Sequence, residues 1–269
     1  MNITDKRDFA DYQNRLTVLL GLNRAPVGIR LLKTDEDLRD SAALMPEGGL
    51  PYCAAVSKAG KGGRCKLGPR NMYCKAGANA LNIVKPDEDR VSGKVYEKFK
   101  VYRDGDICKN IGAGMVYLEE SNAGVEIMPL ADFESTPDIV IIVANPKTVM
   151  RIVQGYAYHF GHLKNIRMSG MCAICNECTS YPYTTGDMNV SMLCAGTRCV
   201  GGWGDDELAA GIPFEKCRLI LDGIEQTANP MENAQSKLQI TERAKIKKTT
   251  IPPLDINYTY YKGGYGPIA

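Results

Sequence analysis

The run Cys172-Ala173-Ile174-Cys175-Asn176-Glu177-Cys178 limits this chain before anything else does. Thiols at two-residue intervals let a backbone wrap one small inorganic core with successive sulfurs aimed at it. Bacterial ferredoxins use this run for iron–sulfur clusters. Ten of the 269 residues are cysteine, and with independent positions such a triple is expected roughly 0.01 times in a chain of this length. The ferredoxin run would place a fourth cysteine at position 182, followed by proline. Here that position is Pro182 itself and Tyr183 follows, so a fourth ligand must come from elsewhere. Cys194 and Cys199 are nearest, and Cys53, Cys65 and Cys74 form a second group. Together these are eight thiols. They suffice for two four-iron clusters, and one four-ligand site with spare thiols also fits.

The setting of the thiols narrows their chemistry. The opening MNITDKRDFADYQ has no apolar stretch suited to a secretory signal. No run of about 18 apolar residues occurs that could cross a bilayer. The expected compartment is therefore a reducing cytoplasm, where disulfides are rare and cysteines are buried, catalytic or metal-bound. A structural zinc site is the plainer alternative to a cluster, although zinc knots use two Cys-x2-Cys pairs rather than a triple. With 33 basic and 31 acidic side chains the net charge is +2. That balance excludes a wholesale grip on a nucleic-acid backbone.

Element signals are clearest away from the cysteines. Phe9, Tyr12, Leu16, Leu19 and Leu20 recur at helical steps over 4–20, with Gly21 as a stop. Residues 26–32, 113–118 and 125–130 are predicted strands. Asp138–Ala144 is apolar on both faces, as a central strand covered on both sides would be. Asn145 and Pro146 then cap a helix running to about Phe160. Asp205–Leu208 is predicted as a short helix, Phe214–Gln226 as an amphipathic one, and 231–247 as a further one. The fold class this implies is α/β or α+β, a mixed sheet with covering helices and cysteine-bearing loops. Residues 1–230 are read as one domain and 231–269 as a helical and extended C-terminal arm. That arm ends in a tyrosine- and glycine-rich tail suited to lie on its own body or on a partner.

Other residues carry weaker signals. Cys217 falls within an amphipathic helix and is expected to be a small buried hydrophobe, and Cys108 stands alone. Arg64, Lys66, Lys75, Arg167 and Arg198 lie within a few residues of candidate ligands, where positive charge would raise a cluster's reduction potential. The glycine-rich basic loop Gly60–Arg70 could cradle an anion with backbone N–H groups, but it lacks the Walker order. His159 and His162 sit at a helix end, where the dipole favours a cation, and are not read as metal ligands.

The chain resembles the family catalogued as domain of unknown function 169. The resemblance runs through Pro26-Val27-Gly28-Ile29, Tyr52-Cys53-Ala54-Ala55-Val56, and Cys74 ahead of Gly77 and Ala78. It continues through Ile141–Pro146, Gln154-Gly155-Tyr156, and Cys175 seven residues before Pro182-Tyr183-Thr184-Thr185-Gly186. It closes on Asn189-Val190-Ser191, Cys194-Ala195-Gly196-Thr197-Arg198, Asp206-Glu207-Leu208 and Gly211-Ile212-Pro213. The resemblance implies no activity. It does imply a recurrent cysteine set matching Cys53, Cys74, Cys175 and Cys194, with Cys65, Cys172, Cys178 and Cys199 as additions in this chain. The four recurrent thiols would then meet around one site and the four additions build a second. A competing partition puts Cys172, Cys175 and Cys178 on one cluster with a remote fourth ligand.

Three functions follow from these readings. The first is a cytoplasmic 4Fe–4S protein with one or two clusters, transferring electrons or serving a redox enzyme, with its arm docking a redox partner or a second copy. The second is a redox or lyase-type enzyme that binds a small substrate at an open cluster iron, with Tyr183 and Arg198 among the binding groups. The third is a zinc-stabilised binding module.

Overall fold

In the computed structural model, residues 6–260 are described. Six strands form one sheet: β1 (Val27–Leu32), β2 (Cys65–Leu67), β3 (Gly124–Pro129), β4 (Ile139–Ala144), β5 (Asn189–Ser191) and β6 (Leu208–Pro213). Their order is β2-β3-β1-β4-β6-β5. The expected class, a sheet covered by helices, holds. The sheet is antiparallel in all five pairings rather than mixed. A strand followed by a helix does not fix the direction of the next strand. Here the chain leaves the Pro146–Phe160 helix through a long connection, and the strand that pairs with β4 is β6, running against it.

The period of two along β4 builds three layers. Ile139 and Ile141 face one core, which also holds Val27, Ile29 and Leu31 of β1, Val125 and Ile127 of β3, and the buried Cys175 and Cys178. Val140 and Ile142 face the other core, with Ala210 and Ile212 of β6. β4 is thus covered on both sides, as its unbroken apolar run requires. The second core is closed by four long helices: Lys6–Leu20, Pro146–Phe160, Phe214–Gln226 and Ala234–Lys247. The Pro146–Phe160 helix starts on the Asn145 carboxamide, which accepts from the Thr148 amide at 2.9 Å. Phe9 meets Phe214 edge to face at 5.4 Å between ring centres.

Ala234–Lys247 places Ile240 and Ala244 in this core, so the C-terminal helix belongs to the body. The extended segment after it lies on the same body. Lys237 Nζ donates to the carbonyls of Asp255, at 2.7 Å, and Tyr258, and Asn229 Nδ2 donates to Pro253 O at 3.0 Å. The part of the predicted arm beyond residue 260, and residues 4 and 5 of the predicted first helix, lie outside the described residues.

Two predicted elements are different. Residues 113–118 are the end of the Gly105–Gly114 helix and an irregular segment. Asp205–Glu207 is a turn, and Leu208 already opens β6. β6 reads Leu-Ala-Ala-Gly-Ile-Pro, which has little strand propensity. Its small residues are demanded by what lies above it. A Cβ at Gly211 would meet the Cys178 carbonyl oxygen at 2.2 Å, so the cysteine layer rests directly on the strand's backbone.

Candidate metal centre

The cysteine-bearing face is built from short helices, not loops. Cys53 is the second residue of the Tyr52–Gly60 helix. Cys74, Cys172 and Cys194 each stand immediately before a helix, at Lys75–Ala80, Ala173–Ser180 and Ala195–Gly201. First-turn amides have no carbonyl partner within their own helix. One of these, Thr197 N–H, reaches Cys194 Sγ at 3.4 Å, and the Thr197 hydroxyl lies 3.0 Å from the same sulfur.

Ala173–Ser180 is a π-helix entered through Cys172 in a left-handed conformation, φ 54°. π-Helical turns are rare and concentrate at functional sites. Side chains pin this one from three sides. Asn176 Nδ2 donates to Val116 O at 2.6 Å. Asn189 Nδ2 donates to Glu177 O at 2.8 Å. The Tyr52 and Thr179 hydroxyls are 3.0 Å apart, and Thr179 Oγ1 donates to Ile174 O at 2.7 Å. The run read as a wrapping loop is therefore helical from Ala173 to Ser180.

The thiols that do act on one another come from distant stretches. Burial pushes Cys53 up to about 11, and the neighbouring Cys74 and Cys194 add to the rise. Cys175 is held well above its usual value by its hydrogen bond to Cys172 and by burial, with Cys74 and Cys53 adding to it. Cys178 is raised by burial first, then by Glu177, with Cys194 contributing. Cys172 moves the other way. Hydrogen bonding from the Cys175 thiol lowers it against the effect of burial, and Arg90 and the Tyr96 hydroxyl lower it further. Cys53, Cys74, Cys175 and Cys194 thus form a chain of mutual neighbours, flanked by Cys172 and Cys178. Among the described residues, no three His, Cys, Asp or Glu side chains are arranged to hold a single metal ion as they stand.

Two predicted ligands stand in different settings. Cys65 lies on β2, buried; burial raises its thiol, and the nearby charge acting on it is Lys58 rather than another cysteine. Cys199 is exposed on the Ala195–Gly201 helix. Cys108 and Cys217 are buried, Cys217 within its helix and in the opposite core, as its pattern predicts.

The predicted binding groups have other partners. The Arg198 guanidinium donates to the carbonyls of Gly204, Met192 and Glu207, the last two at 2.9 and 3.1 Å, and so closes the 192–207 segment. Tyr183 packs beside the cysteine layer and its hydroxyl accepts from Lys33 Nζ at 3.2 Å. Arg64 pairs with Asp132 at 2.9 Å, Lys66 donates to the carbonyls of Arg39 and Ser41, and Arg167 donates to Gly114 O. The glycine-rich 60–70 segment forms no open cradle. The amides of Gly62 and Gly63 bond back to Ala59 and Lys58, and Cys65–Leu67 pairs into the sheet.

The cation beside Cys172 is Arg90, which sequence reasoning did not single out. It belongs to the four-residue Glu88–Val91 helix, 82 positions before Cys172 by subtraction of their numbers. Nothing in the local sequence announces it.

These features define a three-layer protein with a buried multi-thiol centre on one face of an antiparallel sheet. The chain belongs to the family called domain of unknown function 169, described as an uncharacterised ArCR, whose pattern matches residues 15–223. An uncharacterised protein of Methanocaldococcus jannaschii is 24% identical over 229 residues, covering 82% of this chain and 95% of the relative. No solved structure matches.

Proposed function

We propose that this chain carries one 4Fe–4S cluster on Cys53, Cys74, Cys175 and Cys194 and works as an electron carrier or as the accessory of a redox enzyme. The observation that carries the reading is that thiols from four separate stretches are neighbours, Cys53 of Cys74 and Cys194, and Cys175 of Cys53 and Cys74. The donor chemistry fits, because thiolates alone, with no imidazole among them, are the usual ligands of such clusters. That the charge acting on Cys65 is Lys58 and not a neighbouring thiol supports one cluster rather than two.

A bound cluster supplies a one-electron couple. The chain's own residues do the rest. Cys53, Cys74, Cys175 and Cys194 would hold the cluster as thiolates, and the raised values at Cys53 and Cys175 oppose their ionisation in its absence. First-turn amides such as Thr197 N–H meet the resulting negative sulfur. Ile174, Leu193, Trp203 and Tyr52, buried in the same core, exclude water from the inner side. Cys53, Cys74 and Cys194 are only half-buried, which leaves the outer side near the surface for electron exchange.

Anaerobic purification tests the reading. About four irons and four acid-labile sulfides per chain, with a brown colour, are expected. A colourless protein holding one zinc per chain would establish the zinc-stabilised module instead.

A further inference from the structure

Arg90 has no part in the reading above, and its surroundings call for one. It is 9% exposed, and its Nε has no hydrogen-bond partner. Its place is fixed through the backbone, because the Asp87 carboxylate accepts from the Arg90 amide at 2.9 Å and the Tyr117 hydroxyl donates to the Arg90 carbonyl at 3.5 Å. What faces its charge is Cys172 together with the hydroxyls of Tyr96 and Tyr117.

The carboxylates nearby are otherwise engaged. Asp87 caps its own helix. Glu177, close to Cys172, accepts from the Ser169 amide at 2.7 Å and from the Ser191 hydroxyl. A buried cation without an anion is costly, so a guanidinium so placed calls for an anion beside it. A four-iron centre on four thiolates is such an anion in its common oxidised state, and gains one further negative charge on reduction.

We propose that Arg90 is the counter-charge of the cysteine centre, a positioning residue that raises its reduction potential through the flank at Cys172. This rests on the cluster reading and goes beyond it by naming what tunes the couple. The effect is a fixed field. It favours the reduced, more negative state over the oxidised one.

The test uses the full chain, purified anaerobically as parent, Arg90→Lys and Arg90→Met. Iron and sulfide are counted first, and the midpoint is then read by dithionite titration followed by electron paramagnetic resonance. With parent iron content, Arg90→Met is expected to titrate lower, its reduction constant falling about tenfold, or ~59 mV for one electron. Arg90→Lys keeps the charge and is expected to recover most of the shift. Equal midpoints in all three overturn the proposal and leave the cluster reading standing. A parent without iron and sulfide overturns both. If Arg90→Met does not retain iron, melting of the metal-free chains decides. Removing an unpaired buried cation is expected to raise the melting temperature above that of the metal-free parent, and a lower one overturns the proposal.

Discussion

Cys175 and Cys217 are both buried thiols, and their neighbours assign them different work. Cys217 sits in the helical core, where burial pushes its thiol far up and its carbonyl accepts the Tyr12 hydroxyl. Cys175 has other thiols around it. Cys175→Ser is therefore expected to lose most of the bound iron, and Cys217→Ser to keep the parent's iron content. Iron per chain measures both, and equal iron in the parent and both variants would contradict the ligand assignment. Asp187 is a residue of a different kind. Burial alone would raise its carboxyl, but hydrogen bonds from Lys216 and Tyr156 outweigh it and hold the value below the usual carboxylate range. Its contribution to stability is thus present above the unfolded pKa of about 3.9 and is lost as pH falls through the lower folded value. Asp187→Asn is expected to lower stability at pH 7 by about 1 kcal/mol, since the pair is partly solvent-screened. The gap from the parent should close in acid, and urea midpoints at pH 7 and pH 3 measure it.

At the scale of elements, packing overrules propensity at Gly155. A helix interior favours alanine over glycine by about 0.5–1 kcal/mol. A Cβ at Gly155 would lie 2.5 Å from the Ile220 carbonyl oxygen and 2.6 Å from Ile224 Cγ1, where the Pro146–Phe160 and Phe214–Gln226 helices cross. Gly155→Ala is therefore expected to destabilise by about 1–3 kcal/mol, read from the denaturant midpoint, whereas propensity alone would give the opposite sign. The same contrast explains what the sequence made legible. The long helices and β4 carry their burial pattern locally, in apolar residues at regular spacing, and they lie close to where that spacing placed them. β6 and the π-helix do not. Gly211 is small because Cys178 lies on it, and the π-helix is held by Asn189 and Tyr52 reaching in from elsewhere and by its own Asn176 reaching out to Val116. The resemblance pointed to Cys53, Cys74, Cys175 and Cys194 as a set, which the spacing of the cysteines alone does not do. Arg90 was not legible at all, because a lone arginine in a charged stretch looks like any solvated one until the fold buries it.

Across the whole molecule the sheet separates two layers held by different physics. One face is closed by long amphipathic helices over a continuous apolar core, which needs no ligand to be stable. The other is made of helices of four to ten residues, too short to stand alone, tied by side-chain bonds and gathered round thiols. In the cluster reading, metal binding is folding energy for that second layer. Stripping the metal anaerobically with a chelator is then expected to loosen the protein unevenly. Amide exchange should accelerate at least tenfold in the Ala173–Ser180 and Ala195–Gly201 helices, while the Pro146–Phe160 and Phe214–Gln226 helices keep their protection. Mass-spectrometric hydrogen exchange on loaded and stripped chains reads both layers in one experiment. Uniform loss of protection would mean that the sheet couples the layers into one cooperative unit, and unchanged exchange in the cysteine layer would mean that the thiols do not depend on metal for their arrangement.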